Sequence, residues 1–334
     1  MQISVLDLSP IPSGATASQA LRNTIDLAKH VEALGFHRYW LAEHHNAGAL
    51  ASSTPEIMIA AVAAETSRIR VGSGGIMLPN HSPLKIAETF RVLSALYPDR
   101  IDLGVGRAAG TDPKTALALR QSRELLAVEG FPAQLDELMT YLARETDPAA
   151  RFGPIKAVPF GVPPPPLFYL GSGREGADLA ARLGLGFAYA HHIVPDGVSE
   201  AMRSYRAAFR PSSGPRAARS ILAVAAICAA TEADAEDLAR CADLAMVRFG
   251  QGLRDMPMPS VEEARAYAFD AEEDVFRRAS RARSVVGTPA RVKETLRRLL
   301  DEAEADELMV VTYVHDHEER KRSYDRLADA FATP

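Results

Sequence analysis

Histidines, glycines and one arginine are the residues of this chain whose types and places suggest chemistry. Seven of the nine histidines, His44, His45, His81, His191, His192, His315 and His317, stand at or just beyond runs that read as β-strands; His30 and His37 do not. In Glu43-His44-His45 a carboxylate beside two imidazoles can fix one ring's tautomer and free its other nitrogen for proton transfer. Successive strand residues point to opposite sides, so at most one of the two rings faces a cavity at the strand end, and His44, ahead of His45, is the expected catalytic residue. Gly72-Ser73-Gly74-Gly75 closes another strand, where glycine marks a bulge or the close approach of a flat ligand. Arg107, after Gly104-Val105-Gly106, has the planar fork that grips phosphate or carboxylate.

Gly171-Ser172-Gly173-Arg174-Glu175-Gly176 spells GxGxxG between a strand and a helix, where backbone N–H groups cradle phosphate. A dinucleotide fold also needs an acidic residue about 20 positions further on. The next strand ends Tyr189-Ala190-His191 instead, and the loop does not open the pattern, so one phosphate is expected and no dinucleotide. Zinc hydrolysis in a barrel commonly uses an HxH pair on the first strand. That strand ends Asp7-Leu8-Ser9-Pro10, while His315-Asp316-His317 falls in the connection to the last helix, so no metal site is expected.

These residues need a frame that gathers strand ends. Strands are read at Ile3 to Leu8, Tyr39 to Ala42, Ile69 to Ile76 and Ile101 to Val105, separated by helical periodicity. Thr54-Pro55-Glu56 and Ser82-Pro83 open helices with a capping hydroxyl and a proline in the first turn. Helical stretches near Thr115 to Val128 and Pro132 to Arg144 lead into a stiff surface passage ending at Pro163-Pro164-Pro165-Pro166. Further strands are read at Leu167 to Leu170, Phe187 to Ala190, Ile221 to Ala229 and Leu308 to Val314. Helices are expected at Glu175 to Leu183, from Gly287-Thr288-Pro289 to Leu300, and at Glu318 to Phe331.

Eight strands joined by helical crossovers predict an α/β fold, a single (β/α)8 TIM barrel over residues 1–334, with insertions before the fifth strand and after the seventh. The second insertion, about 231–283, reads as irregular, charged and lid-like. Barrel enzymes carry their chemistry on the loops after the strands, and that is where the unusual residues concentrate.

Composition narrows the function classes. The 334 residues are 47% hydrophobic and 24% charged, as in ordinary globular proteins. A net charge of -5 argues against nucleic acid as partner. Cys228 and Cys241 have no CxxC or histidine-rich surroundings, which argues against a disulfide framework and fits a reducing cytoplasm. Neither a signal segment nor a run of membrane-spanning length is read, so no membrane association is expected.

Taken in order, several segments resemble the bacterial luciferase-like monooxygenases, flavin-dependent (β/α)8 barrel proteins. They are Trp40-Leu41-Ala42-Glu43-His44-His45, Val71-Gly72-Ser73-Gly74-Gly75-Ile76-Met77-Leu78-Pro79, Asp99-Arg100-Ile101-Asp102-Leu103-Gly104-Val105-Gly106-Arg107, Leu170-Gly171-Ser172-Gly173 and Val286-Gly287-Thr288-Pro289. The resemblance covers nearly the whole chain. It implies FMN across the strand ends, its phosphate held by Arg107 and backbone groups of Ser172, Gly173 and Gly176. The isoalloxazine would rest on Gly74 and Gly75, where such proteins can carry a non-prolyl cis peptide. His191 completes the implied cofactor-binding set, and His44 matches the family's functional histidine. The segment after Thr231 would be a mobile lid shielding the reduced flavin.

The implied reaction takes reduced FMN from a separate flavin reductase, and O2, to oxidise a small organic substrate through a flavin hydroperoxide; a homodimer is the expected assembly. This chain departs from the luciferases proper, which have two alanines at Gly74-Gly75 and serine and tryptophan at His191-His192, so light emission is not implied. The competing readings are a deazaflavin-dependent hydride-transfer oxidoreductase and a non-catalytic flavin-binding relative.

Overall fold

Runs rich in β-branched and aliphatic residues alternate with amphipathic ones, and each run finds its hydrogen-bond partners in the next. The structure is a computed structural model that describes residues 1–332 except position 109 and the stretches 121–129, 144–154 and 212–216. Its strands are β1 (Gln2–Asp7), β2 (Arg38–Leu41), β3 (Arg70–Ser73), β4 (Ile76–Met77), β5 (Ile101–Gly106), β6 (Leu167–Gly171), β7 (Gly186–Ala190), β8 (Ser220–Cys228), β9 (Ser284–Gly287) and β10 (Glu307–Val311). The strands β1, β2, β3, β5, β6, β7, β8 and β10 pair in that order, and β10 returns to β1. Every pairing is parallel, which makes a closed eight-stranded α/β barrel, the expected TIM architecture.

The crossovers run through α1 (Ala17–Ala33), α2 (Pro55–Glu65), α3 (Pro83–Leu96), α4 (Pro113–Arg120), α5 (Phe131–Leu142), α6 (Arg174–Leu183) and α7 (Val198–Ala208). After β8 come α8 (Glu232–Gly250), α9 (Val261–Ala266) and α10 (Ala271–Arg281); α11 (Pro289–Ala303) and α12 (His317–Ala332) complete the outer layer. Ser82 caps α3 through the N–H of Lys85, as its place before Pro83 suggests. Thr54 precedes Pro55 in the same way but makes no side-chain cap. Thr288 makes none for α11 either; its hydroxyl bonds Glu232 at 3.1 Å. The helix expected to Val128 is described as far as Arg120, and the remainder of that reading, like Arg144, lies outside the described residues.

Strand parity divides the core. Outward residues such as Val5, Tyr39, Leu103, Tyr169, Phe187 and Val310 pack under the helices. Inward residues Leu6, Trp40, Phe168, Ala188, Ile221, Ala223, Met309 and Val311 fill the barrel. Below them the buried Arg38 forks onto Glu307 at 2.7 and 2.9 Å and reaches Asp102 at 2.6 Å, with its guanidinium over the rings of Trp40 and Phe168. The two carboxylates compensate the charge that burial would otherwise penalise.

Three readings of the sequence need correction. The run Ile69 to Ile76 is not one strand: it breaks at Gly74-Gly75, whose peptide bond is cis, and resumes as β4. Both pieces pair with β5, Gly72 with Asp102 and Ile76 with Val105, so four steps on one side face three on the other, as in a bulge. The stretch 231–283 is not irregular. Its charges cap and tie helices: Thr231 caps α8, and capping boxes from Ser260 with Glu263 and from Asp270 with Glu273 open α9 and α10. Arg277 and Arg281 of α10 converge on Asp243 of α8, at 3.3 and 2.6 Å. Finally, the short strand β9 was not read from sequence; it lengthens the sheet along the far end of β8.

Candidate functional site

The inward register of each strand continues into the loops above it and builds the barrel mouth. Trp40 of β2 and Ala42 just beyond it face inward, which brings His44 to the mouth. By the same rule Leu8, Ser172 and Tyr313 follow Leu6, Leu170 and Val311. On the β3–β5 side the walls are bare backbone. A Cβ on Gly74 would stand 2.6 Å from Leu6 Cδ1, and one on Gly75 would stand 2.7 Å from the Gly104 carbonyl oxygen. Gly72 and Gly104 are equally tight, against the backbones of Asp102 and Ser73. At Gly72, Gly75 and Gly104 the obstacle is backbone, which leaves room for glycine alone where strands and turn approach one another in this chain; at Gly74 it is the Leu6 side chain.

Glu43 takes the opposite register from His44 and lies fully buried beneath the rim. It accepts from His45 Nε2 at 2.8 Å, from His81 Nε2 at 2.9 and 3.0 Å, and from the Met77 N–H at 2.9 Å. Burial pushes this carboxyl up, but the two imidazole hydrogen bonds and the Met77 N–H win and hold it at about 2. Against the same penalty, Glu43 raises His81. The sequence suggested that Glu43 would orient a ring of its own triplet for proton transfer. It holds His45 and, from 38 residues away, His81, and it gives His44 no hydrogen bond. Nothing in local spacing announces the His81 partnership.

His44 is left with a buried Nδ1 that has no partner among the described residues. Burial lowers its pKa, with Glu43 opposing and His45 assisting, so the ring is neutral near pH 7. Its main-chain N–H bonds the Ser52 carbonyl at 3.3 Å.

Across the mouth, Arg107 leaves the end of β5 and meets the first turn of α6, where Nη1 lies 3.1 Å from Glu175. Both side chains are exposed, at 40% and 81%, so this pair is weak and open to exchange for a stronger anion. The N-cap of α6 is Gly173, which offers no capping side chain and has open space where its Cβ would be. Ser172, Gly173 and Arg107 are thus brought together around the first turn of α6, whose leading N–H groups have no partner within the helix. Gly176 has a second reason for being glycine: a Cβ there would stand 2.5 Å from the Tyr169 ring.

His191 is buried, with Nδ1 unpartnered among the described residues, and burial lowers its pKa against the pull of Asp196. Its neighbour His192 turns to β8 and bonds the Ala223 carbonyl, near enough to His44 and Arg283 for both to lower its pKa. Arg283 and Tyr313 were not singled out from sequence. Arg283 donates to the Ile193 carbonyl at 3.2 Å, and Tyr313 packs between the barrel interior and the cluster under α8 and α9. His315 lies 3.1 Å from Ser13 Oγ, which donates to Glu263 of α9 at 2.9 Å. The chain between α8 and α9 is sewn to the loops after β1 and β2 by Ser13 N to Met258 O at 2.8 Å and Gly48 N to Asp255 Oδ1 at 3.0 Å.

His317 is no part of this mouth; it bonds Asp26 between α1 and α12 at 2.8 Å. Asp26, His317 and Glu318 could share one ion among the described residues, but Lys321 already sits 3.1 Å from Asp26. No described helix is long and apolar enough to cross a membrane.

Comparison with known proteins agrees with this fold. The family model for luciferase-like monooxygenases matches residues 1–307. A luciferase-like monooxygenase from Escherichia coli is 39% identical over 327 residues, covering 98% of this chain and 96% of its own. An N-acetyl-S-alkylcysteine monooxygenase from Bacillus subtilis is 35% identical over 331 residues, covering 99% and 98%. The crystal structure of apo-MsnO8 superposes with a TM-score of 0.88 at 39% identity, covering 100% of this chain and 99% of that one. Members of the family use flavins, FMN in some and the deazaflavin F420 in others. On fold, sequence and extent of match, this chain belongs to the luciferase-like monooxygenase family.

Proposed function

We propose that the protein is a monooxygenase that uses reduced FMN and O2 to oxidise a small organic substrate. The observation that carries this reading is one mouth with two ends: an open helix N-terminus beside an exchangeable arginine, and a glycine wall with an orphaned imidazole nitrogen. The residues fit a flat ring with a single phosphate tail. Arg107 and the backbone of Ser172, Gly173 and Gly176 would hold the phosphate, Gly74 and Gly75 would admit the ring, and His191 would close the cofactor site from the β7 side. When bound, the reduced flavin supplies the activation of oxygen.

The chain's own residues supply position, dryness and a proton path. His44, neutral and with no competing partner at Nδ1, accepts or returns a proton at that nitrogen. The helices α8 to α10, tied to the first two loops, serve as the cover that excludes water, and we propose that part of this cover moves as a lid. A separate reductase delivers the reduced flavin. The exposed apolar residues Ile57 of α2 and Val92 and Leu96 of α3 support a homodimer through that face.

Titration with FMN, riboflavin and a deazaflavin, followed by exposure of the reduced complex to oxygen, tests the reading. Preference for FMN over riboflavin and rapid oxygen consumption are expected. Tighter binding of the deazaflavin with no oxygen reaction would establish hydride transfer instead, and binding without turnover would make the protein a flavin carrier.

A further inference from the structure

His192 lies at the mouth and has no role in the reading above. It follows β7, half-buried, and its main-chain N–H and its Nδ1 each lie 3.1 Å from the carbonyl oxygen of Ala223 on β8. A carbonyl only accepts, so Nδ1 carries the proton and Nε2 is left as a lone pair. That nitrogen has no partner among the described residues. The titratable and charged groups that act most on the ring are His191 in its own turn, His44 beyond β2, and Arg283 from the segment between α10 and β9; none of the three is a carboxylate. Burial first, then this company, outweigh the bond to Ala223 and push His192 down to about 4.

We propose that His192 is a substrate-recognition residue whose Nε2 is a fixed acceptor for a neutral N–H or O–H donor on the molecule oxidised beside His44. The proposal rests on the monooxygenase reading, because it needs an organic substrate in the mouth. A ring anchored through Nδ1, with burial and the Arg283 guanidinium both disfavouring its charged form, does not turn into a donor at working pH. It therefore asks one question of an entering molecule, and an analogue without the donor forgoes the hydrogen bond that this lone pair would accept. His44 differs: no bond fixes its Nδ1, and it remains free to exchange a proton.

The test is nitrogen NMR of the full chain labelled with 15N-histidine, the His192 signals being assigned with His192→Gln. The proton is expected on Nδ1, with no titration from about pH 8 to about pH 5, the range in which an ordinary histidine changes charge. Phenol is expected to move the Nε2 signal, and anisole, the same ring without the O–H, to leave it in place. A proton on Nε2, a titration near the ordinary value, or an equal response to the two probes, none included, overturns the proposal. FMN titrated into the same sample and followed by flavin fluorescence reports separately on the cofactor reading, so failure of one is told apart from failure of the other.

Discussion

Replacing Glu43 by glutamine removes a charge whose value the structure allows to be worked out. The carboxylate is fully buried and accepts from two imidazoles and one backbone N–H, and its pKa falls from 4.5 to about 2. That drop corresponds to about 3 kcal/mol of stability near neutral pH. The figure agrees with the roughly 3 to 5 kcal/mol lost when one partner of a buried charged network is removed. The sign follows from linkage: a carboxyl depressed in the native state stabilises fully above its unfolded value of 4.5 and loses that contribution as the pH falls towards 2. Glutamine keeps the shape but turns an N–H towards donors. Glu43→Gln should therefore be about 3 kcal/mol less stable than the parent at pH 7, with the gap closing below 4.5. Urea unfolding can be followed through Trp40, the chain's single tryptophan, buried in the barrel. A gap under about 1 kcal/mol at neutral pH, or one unchanged in acid, would refute the reasoning.

Other consequences are open to measurement. His44→Ala should leave FMN affinity nearly intact and cut oxygen-dependent turnover about a hundredfold, measured with reduced FMN under a stopped-flow oxygen pulse; unchanged turnover removes His44 from the chemistry. Arg107→Ala should weaken FMN far more than riboflavin in parallel fluorescence titrations, and equal losses would contradict a phosphate role. Gly75→Ala, with its Cβ 2.7 Å from a carbonyl oxygen, should cost about 1–3 kcal/mol, whereas Gly173→Ala, opening onto empty space, should cost under about 0.5 kcal/mol. Thermal melts of the two variants decide this. His192, depressed to about 4, should make the fold less stable as the pH drops from about 6.5, the value of a free histidine, to about 4. His192→Gln should flatten that decline by up to about 3 kcal/mol, and an identical decline would show that the ring is not held neutral.

Much of this architecture was legible because its signals are local. Strand and helix periodicity gave the barrel, and strand alternation limited the His44-His45 pair to at most one mouth-facing ring. Arg107 and the loop from Gly171 to Gly176 were readable because each directly follows a strand. What escaped depends on contacts distant in sequence. The acceptance of His81 by Glu43 follows from how β3 breaks and β4 resumes, which a run of glycines signals without specifying. His192 gains its role from a bond to Ala223, 31 residues on, beyond the point where strand alternation applies. The helices after β8 were hidden by their own chemistry: Asp270, Glu273, Arg277 and Arg281 read as solvated charge until caps and cross-helix pairs are seen.

The tight contacts of Gly72, Gly74, Gly75 and Gly104 bear on how a barrel of this kind can diversify. Along that arc Gly72, Gly75 and Gly104 admit no larger side chain without displacing a neighbouring backbone, and Gly74 none without displacing Leu6, so a change of substrate is more readily written elsewhere. The opposite arc is adjustable: Ile193 is exposed, Arg283 reaches across from the insertion, and Tyr313 touches both barrel and cover. A library confined to those three positions samples new specificities while sparing the rigid cradle on which the proposed coenzyme depends.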